Sequence, residues 1–265
     1  MFCQADDLVR GFDTSTANVA RVYDALLGGK DNYAADRAAV ARLRELLPCV
    51  EAYALENRAF LTRAVTYLAG EGIRQFLDIG AGLPTRRNVH EMAQSVAADA
   101  RVVYVDHDPL VLCHGRALLA RDDRAAVVEG DLRDPEGIIG DCGSQRLIDF
   151  DRPVAVLLAS ILHLIDDAEN PRAIVARLCA ALAPGSYLVI SHVEDHPDVA
   201  AACDVYREDL GCGTPRGSRQ IAELFDGLEM ADPGLVHLPR WRAESRPRDH
   251  MNDLRFYGGV ARTTA

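Results

Sequence analysis

Residues Phe76-Leu-Asp-Ile-Gly-Ala-Gly-Leu-Pro-Thr85 limit the folds open to this chain more than any other stretch. An apolar run ends on an acid, Asp78, and glycines follow at alternate positions, Gly80 and Gly82. A second apolar run, Val102-Val-Tyr-Val-Asp106, closes on another acid about 25 residues further on. Strand, tight turn, helix and a second strand ending in a carboxylate make up a nucleotide-type ligand pocket in a doubly wound sheet. The glycines let the backbone approach a ligand, and the second carboxylate can accept both hydroxyls of a ribose.

The rest of the chain fits that frame. From Ile73 onward, short apolar runs at 74–79, 102–106, 125–129, 153–159 and 186–191 read as strands. Stretches 87–99, 109–121, 170–183, 197–210 and 218–226 read as helices between and after them. This alternation predicts βαβ units with right-handed crossovers. Leu228-Glu-Met-Ala, Leu235-Val-His-Leu and Phe256-Tyr-Gly-Gly-Val-Ala-Arg break the alternation and suit a closing antiparallel hairpin. Before Ile73 only helical patterns occur. Val19, Val22, Tyr23 and Leu26 form an apolar stripe that Gly28-Gly29 stops, and two further helices span about 36–47 and 50–69. The expected fold is α/β, doubly wound, with a mostly parallel seven-stranded sheet. Residues 1–70 are expected to form a helical cap or lid and residues 71–265 the ligand-binding domain.

Composition excludes several functions. A formal charge of −11 argues against a protein that grips phosphate backbones, so no nucleic-acid partner is expected. The longest apolar stretch, Pro153 to Ile165, is too short to span a bilayer, and no secretory signal is visible. Seven cysteines without a Cys-x-x-Cys pair read as reduced thiols, which points to the cytoplasm and to no metal site. A monomer or homodimer is expected. Arg240, Arg242, Arg246 and Arg248 form a basic cluster that reads as a solvated loop.

Small details select the cofactor. A dinucleotide fingerprint needs a third glycine so that pyrophosphate can sit at the helix start. Here Pro84 and Thr85 fill that turn. S-adenosylmethionine carries no phosphate, and its amino-acid end presents a cation that Asp78 suits. The absence of a Tyr-x-x-x-Lys pair after the fourth strand also disfavours a nicotinamide reductase.

Ligands in such sheets bind beyond the carboxyl ends of the strands. Those ends read Asp78-Ile-Gly-Ala-Gly82, Asp106-His-Asp108, Glu129-Gly-Asp131-Leu132 and Ser160-Ile-Leu-His163. Asp131 can accept a hydrogen bond from an exocyclic amine or cap a turn, and Asp108 before Pro109 reads as a helix cap. Together with Ala183-Pro-Gly-Ser-Tyr-Leu-Val-Ile, these stretches resemble the successive motifs of class I S-adenosylmethionine-dependent methyltransferases over residues 73–263. Asn18-Val-Ala-Arg-Val-Tyr-Asp-Ala-Leu-Leu-Gly-Gly-Lys-Asp-Asn-Tyr33 and Asn88-Val-His-Glu91 narrow the match. They resemble a bacterial S-adenosyl methyltransferase family first catalogued as a domain of unknown function. The resemblance implies S-adenosylmethionine as cofactor, with contacts from Asp78, Gly80, Gly82, Leu83, Asp106, His107, Asp131, Leu132 and Ser160.

The polar residues Arg21, Tyr23 and Lys30 are not explained by an apolar stripe and are expected to reach the cofactor from the lid. His163 is the expected catalytic base, since an acceptor with an ionisable proton benefits from a nearby imidazole. Similar small-molecule O-methyltransferases carry a general-base histidine at this place, although Leu164-Ile165 replaces their Asp-Trp. His192 is the second choice. The leading expectation is methyl transfer to an oxygen or nitrogen of a small molecule. A non-catalytic cofactor-binding regulator is the competing one.

Overall fold

The computed structural model describes residues 13–85, 87–119, 124–243 and 254–264. Strand β1 (Gln75–Ile79) is buried along its whole length, as a central parallel strand covered on both faces must be. It pairs in parallel with β2 (Arg101–Asp106), and β2 in turn with β3 (Ala125–Glu129). On its other side β1 pairs with β4 (Ala155–Ala159), and β4 with β5 (Tyr187–Val193), again in parallel. The sheet therefore reverses direction of growth between β1 and β4, where such folds open a crevice for ligand. Short strands β6 (Leu228–Met230) and β7 (Val236–His237) both pair antiparallel with the long last strand, β8 (Phe256–Thr263), which also runs antiparallel to β5. The order along the main path is β3-β2-β1-β4-β5-β8-β6. The seven strands expected lie on that path, and the two-residue β7 beside it makes eight.

Side chains alternate across the sheet. Phe76, Val102, Leu157 and Val189 face helices α3 (Val50–Gly70) and α4 (Val89–Gln94), whose Phe60, Ala64, Leu68 and Met92 complete that layer. Leu77, Val103, Val156 and Leu188 face the opposite way, onto α6 (Pro135–Ser144) and α7 (Pro171–Ala180). The first two helices stand apart from both layers. α1 (Val19–Leu26) and α2 (Ala34–Leu46) share a separate apolar cluster with Ala202 and Val205 of α8 (Pro197–Leu210). The N-terminal region thus divides, with α3 built into the main core and α1–α2 packed with α8 in a cluster of their own.

Two helices depart from expectation. The pattern at 87–99 yields only the six residues of α4, because Ser95 turns its hydroxyl back to the Met92 carbonyl and Gln94 bonds the Ala100 carbonyl. Helix α6 was not foreseen. Its Gly137, Gly140 and Gly143 are poor helix formers, and the signals present are local, the Asp134 cap and Pro135 at the first position. The remaining helices, α5 (Pro109–Leu118) and α9 (Ser218–Ala222), fall where periodicity places them.

Gly258 tests how tightly β8 is pressed onto α3. A Cβ there would stand 2.5 Å from a Leu238 methyl and 2.9 Å from the Phe60 ring. Gly258→Ala is expected to lower stability by about 1–3 kcal/mol through overpacking. Gly140→Ala, in open space within α6, is expected to raise it by up to about 1 kcal/mol. Thermal unfolding of the two variants checks both signs.

Candidate cofactor and acceptor site

Loops after β1, β2, β3 and β4 meet the N-terminal helices around a cavity of about 390 Å³. Its floor is held by Asp106. One carboxylate oxygen accepts the Gly82 N–H at 2.9 Å and the other the Asp108 N–H at 3.0 Å. The glycine loop is thereby tied to the end of the neighbouring strand. Gly80 and Gly82 both adopt positive φ, +74° and +66°, which glycine tolerates best. A Cβ at Gly80 would strike Ile161 at 2.6 Å, whereas one at Gly82 would meet no protein atom within 4 Å. Gly80 is there for packing, and Gly82 leaves open space beside the cavity.

Asp78 is the electrostatic anomaly. It is only 5% exposed, and among the described residues no hydrogen bond reaches its carboxylate. Burial pushes its carboxyl up to about 7, with the Arg58 guanidinium pulling the other way and Asp106 adding to the rise. Burial also raises the Asp106 carboxyl, against the two backbone N–H groups it accepts.

Asp131, His107, Leu132 and Ser160 line the same cavity. Asp131 accepts the Arg133 N–H at 2.9 Å and pairs with its guanidinium, so it serves the turn as well as facing the ligand space. Ser160 holds a left-handed backbone, φ +62°, and its N–H donates to the Ser191 hydroxyl at 2.8 Å. Ser191 donates to Asn57, and the Asn57 amide donates to the Tyr23 hydroxyl at 2.8 Å. Tyr23 closes the relay on the Ala54 carbonyl. Leu83 is buried against Leu110 and Val111, lining a small recess beside the cavity rather than the cavity itself.

Two of the expected contacts from the N-terminal region also lie outside the cavity. Arg21 is buried but does not line the cavity. Its guanidinium donates to Asp36 and to the carbonyls of Asp13 and Thr16, which locks α1 to α2. Lys30 is exposed and also lies outside the cavity. The Gly28-Gly29-Lys30-Asp31-Asn32 stretch is a turn wrapped around the Asp24 carboxylate, which accepts the Asp31 N–H and the Asn32 amide. A Cβ on Gly29 would collide with that carboxylate. Tyr23 is the one lid residue of the three that lines the cavity. Asn18, unforeseen, caps α1 and donates to Asp108 at 2.7 Å, closing α1 onto the Asp106 loop. Of the basic cluster, Arg246 and Arg248 lie outside the described residues, and Arg242 stacks on Tyr67 at 3.7 Å.

His163 lines the cavity in the turn after β4. Its Nδ1 is buried without a hydrogen-bond partner among the described residues, and its ring packs edge-on against His192 and Phe256. Burial, assisted by Arg216, lowers its titration to about 4, so the imidazole is neutral at working pH. Arg216, only 3% exposed, donates to the Leu162 and Ile165 carbonyls, to Asp167 and to His192. It is the clamp that fixes the His163 turn, and no motif in the sequence marks it. His192 itself is fully buried, with both ring nitrogens engaged, which removes it as a candidate base.

The Asp78 carboxyl makes stability depend on pH in an unusual sense. A carboxyl raised from 3.8 to about 7 contributes its full stability below about pH 4 and loses it as pH rises through 7. Asp78→Asn removes that penalty. The variant is expected to be more stable than the wild type at pH 8, by up to about 4 kcal/mol, and to match it near pH 4. Denaturant unfolding at the two pH values checks this.

The chain's full-length likenesses agree with this geometry. The family model for S-adenosyl methyltransferases matches residues 6–264. A candidate methyltransferase of Thermobifida fusca YX is 44% identical, with TM-score 0.91 over 97% of this chain and 98% of its own. A DUF574 family protein of Streptomyces avermitilis MA-4680 is 39% identical, with TM-score 0.90 over 95% and 99%. An O-methyltransferase family protein of Burkholderia thailandensis, 16% identical with TM-score 0.51 over 99% and 69%, shares the fold. A search of the curated proteins finds no match. The chain belongs to the S-adenosyl methyltransferase family, and its cofactor is S-adenosylmethionine.

Proposed function

We propose that this methyltransferase acts on an oxygen or nitrogen of a small, uncharged acceptor held beside His163. The carrying observation is the division of charge in the cavity. Asp78, Asp106, Asp108, Asp131, Arg58 and Arg133 lie at the tips of β1–β3 and on α3. The wall toward β4 and α8 consists of Leu61, Ile161, His163, Leu164, Tyr206 and Leu210, with Tyr23 and Cys212. Burial keeps its ionisable groups neutral: His163 falls to about 4, Cys212 rises to about 11, and both tyrosines rise. A charged acceptor would lose its hydration against that wall and find no counter-charge.

The residues at the charged end fit the cofactor. Asp78 is a buried carboxylate without a partner, suited to an ammonium group. Asp106 spends one lone pair of each oxygen on the backbone and keeps others for ribose hydroxyls. Asp131 and Leu132, lining the cavity beyond β3, are assigned to the adenine, whose exocyclic amine can donate to the Asp131 carboxylate. Bound there, the cofactor supplies a methyl group on a cationic sulfur, and transfer is an in-line displacement favoured mainly by alignment. His163 contributes a neutral ring nitrogen that accepts the acceptor's O–H or N–H and takes its proton as the new bond forms. Helix α1, which lines the cavity through Val19, Ala20 and Tyr23 and is backed by α2, acts as a lid that excludes water. Six free cysteines among the described residues support a reducing compartment, the cytoplasm.

His163→Gln is expected to lower turnover by about 100-fold or more while leaving S-adenosylhomocysteine affinity unchanged. Loss of affinity with turnover preserved at saturation would reassign the residue to binding. The pH profile separates His163 from Asp78. Turnover at saturating cofactor stays level down to about pH 5.5, since His163 titrates near 4. Cofactor affinity falls as pH drops below 7, where Asp78 takes up a proton and can no longer pair with an ammonium group. Calorimetric titrations between pH 6 and 8.5, with a metabolite-extract methylation assay, test the reading.

A further inference from the structure

Arg58, on α3, lines both the cavity and the recess beside it, next to Asp78 and Gly82. Its Nη2 is spent, donating to the Thr85 hydroxyl at 2.9 Å and to the Arg87 carbonyl. A guanidinium has five N–H donors, so Nε and Nη1 keep three, and none has a partner among the described residues. Thr85, in the turn where a dinucleotide fingerprint carries glycine, thus has a task glycine cannot perform: its hydroxyl holds this guanidinium. Asp78 feels the Arg58 charge, yet the two form no ion pair among the described residues. A carboxylate without hydrogen bonds and a guanidinium with three free donors therefore face one cavity without closing on each other.

Such an arrangement matches a ligand carrying an ammonium and a carboxylate on one carbon. We infer that Arg58 holds the carboxylate of the cofactor's amino-acid end while Asp78 holds its ammonium group, an inference that rests on the cofactor site proposed above. The planar fork of arginine suits a carboxylate, and pinning one edge at Thr85 aims the other edge at the ligand. Arg58 then determines specificity for ligands that retain the α-carboxylate. Nucleosides without an amino-acid end, such as methylthioadenosine, are rejected by both charges.

The test removes the carboxylate from the ligand and the guanidinium from the protein in turn. Calorimetry compares S-adenosylhomocysteine with its decarboxylated analogue, which retains the amine, the sulfur and the adenosine. The wild-type chain is expected to bind the analogue about ten- to hundredfold more weakly. Arg58→Met is expected to lose that factor for S-adenosylhomocysteine and little for the analogue, so that the variant binds the two alike. Arg58→Lys restores part of the discrimination. Equal weakening of both ligands by Arg58→Met would make Arg58 a prop for the glycine loop and overturn the inference. So would equal affinity of the two ligands for the wild type. That wild-type comparison decides the matter even if Arg58→Met fails to fold. Failure of S-adenosylhomocysteine to bind the wild-type chain at all would remove the cofactor site itself, and this inference with it.

Discussion

Asp106 organises the site. Its carboxylate joins the glycine loop after β1 to the first turn of α5, one oxygen to each. From there the connection runs through Asp108 to Asn18 at the start of α1. Three segments distant in sequence are fixed around one side chain, and each carries lining residues of the cavity. Losing that carboxylate would free two part-buried backbone N–H groups at once, so any role in ligand binding is inseparable from its structural one. This also explains why both its oxygens are occupied before any ligand arrives.

The energetics of the pocket rest on leaving charge incomplete. Among the described residues, none hydrogen-bonds the buried Asp78 carboxylate or takes up the remaining donors of Arg58. An isolated protein gains nothing from either arrangement, since buried charge without a partner opposes folding. The surrounding core absorbs that cost: β1 is covered on both faces, α3 is seated in the main apolar layer, and Arg21–Asp36 and Asp24 tie together α1, α2 and the turn between them. On the proposed pairing with an ammonium group, stability and affinity are opposed at Asp78.

Much of this was legible in the sequence because the relevant physics is local. Asp78, Gly80, Gly82 and Asp106 announce themselves by spacing, and the mostly parallel sheet follows from the alternation of short apolar runs with helices. What escaped notice depends on partners far along the chain. Arg58 acquires meaning only beside Thr85 and Asp78, and Asn57 only between Ser191 and Tyr23. Arg216 is unreadable until its turn meets the one after β4. The N-terminal motif shows the same dependence. Arg21 is taken up by Asp36 and the Asn32 amide by Asp24, partners that spacing alone does not reveal.

The hydrogen-bond relay from Ser160 to Ala54 has a direction. Ser191 gives its hydrogen to Asn57, and Tyr23 gives its own to the Ala54 carbonyl. Neither hydroxyl has a second hydrogen to offer. Of the two, Tyr23 alone lines the cavity, and its oxygen accepts from Asn57 and keeps one further lone pair. A visiting O–H or N–H can donate to that oxygen, while a visiting carbonyl or ether oxygen gets no hydrogen from it. The fixed sense of one internal chain of hydrogen bonds thus sets what this one hydroxyl can do.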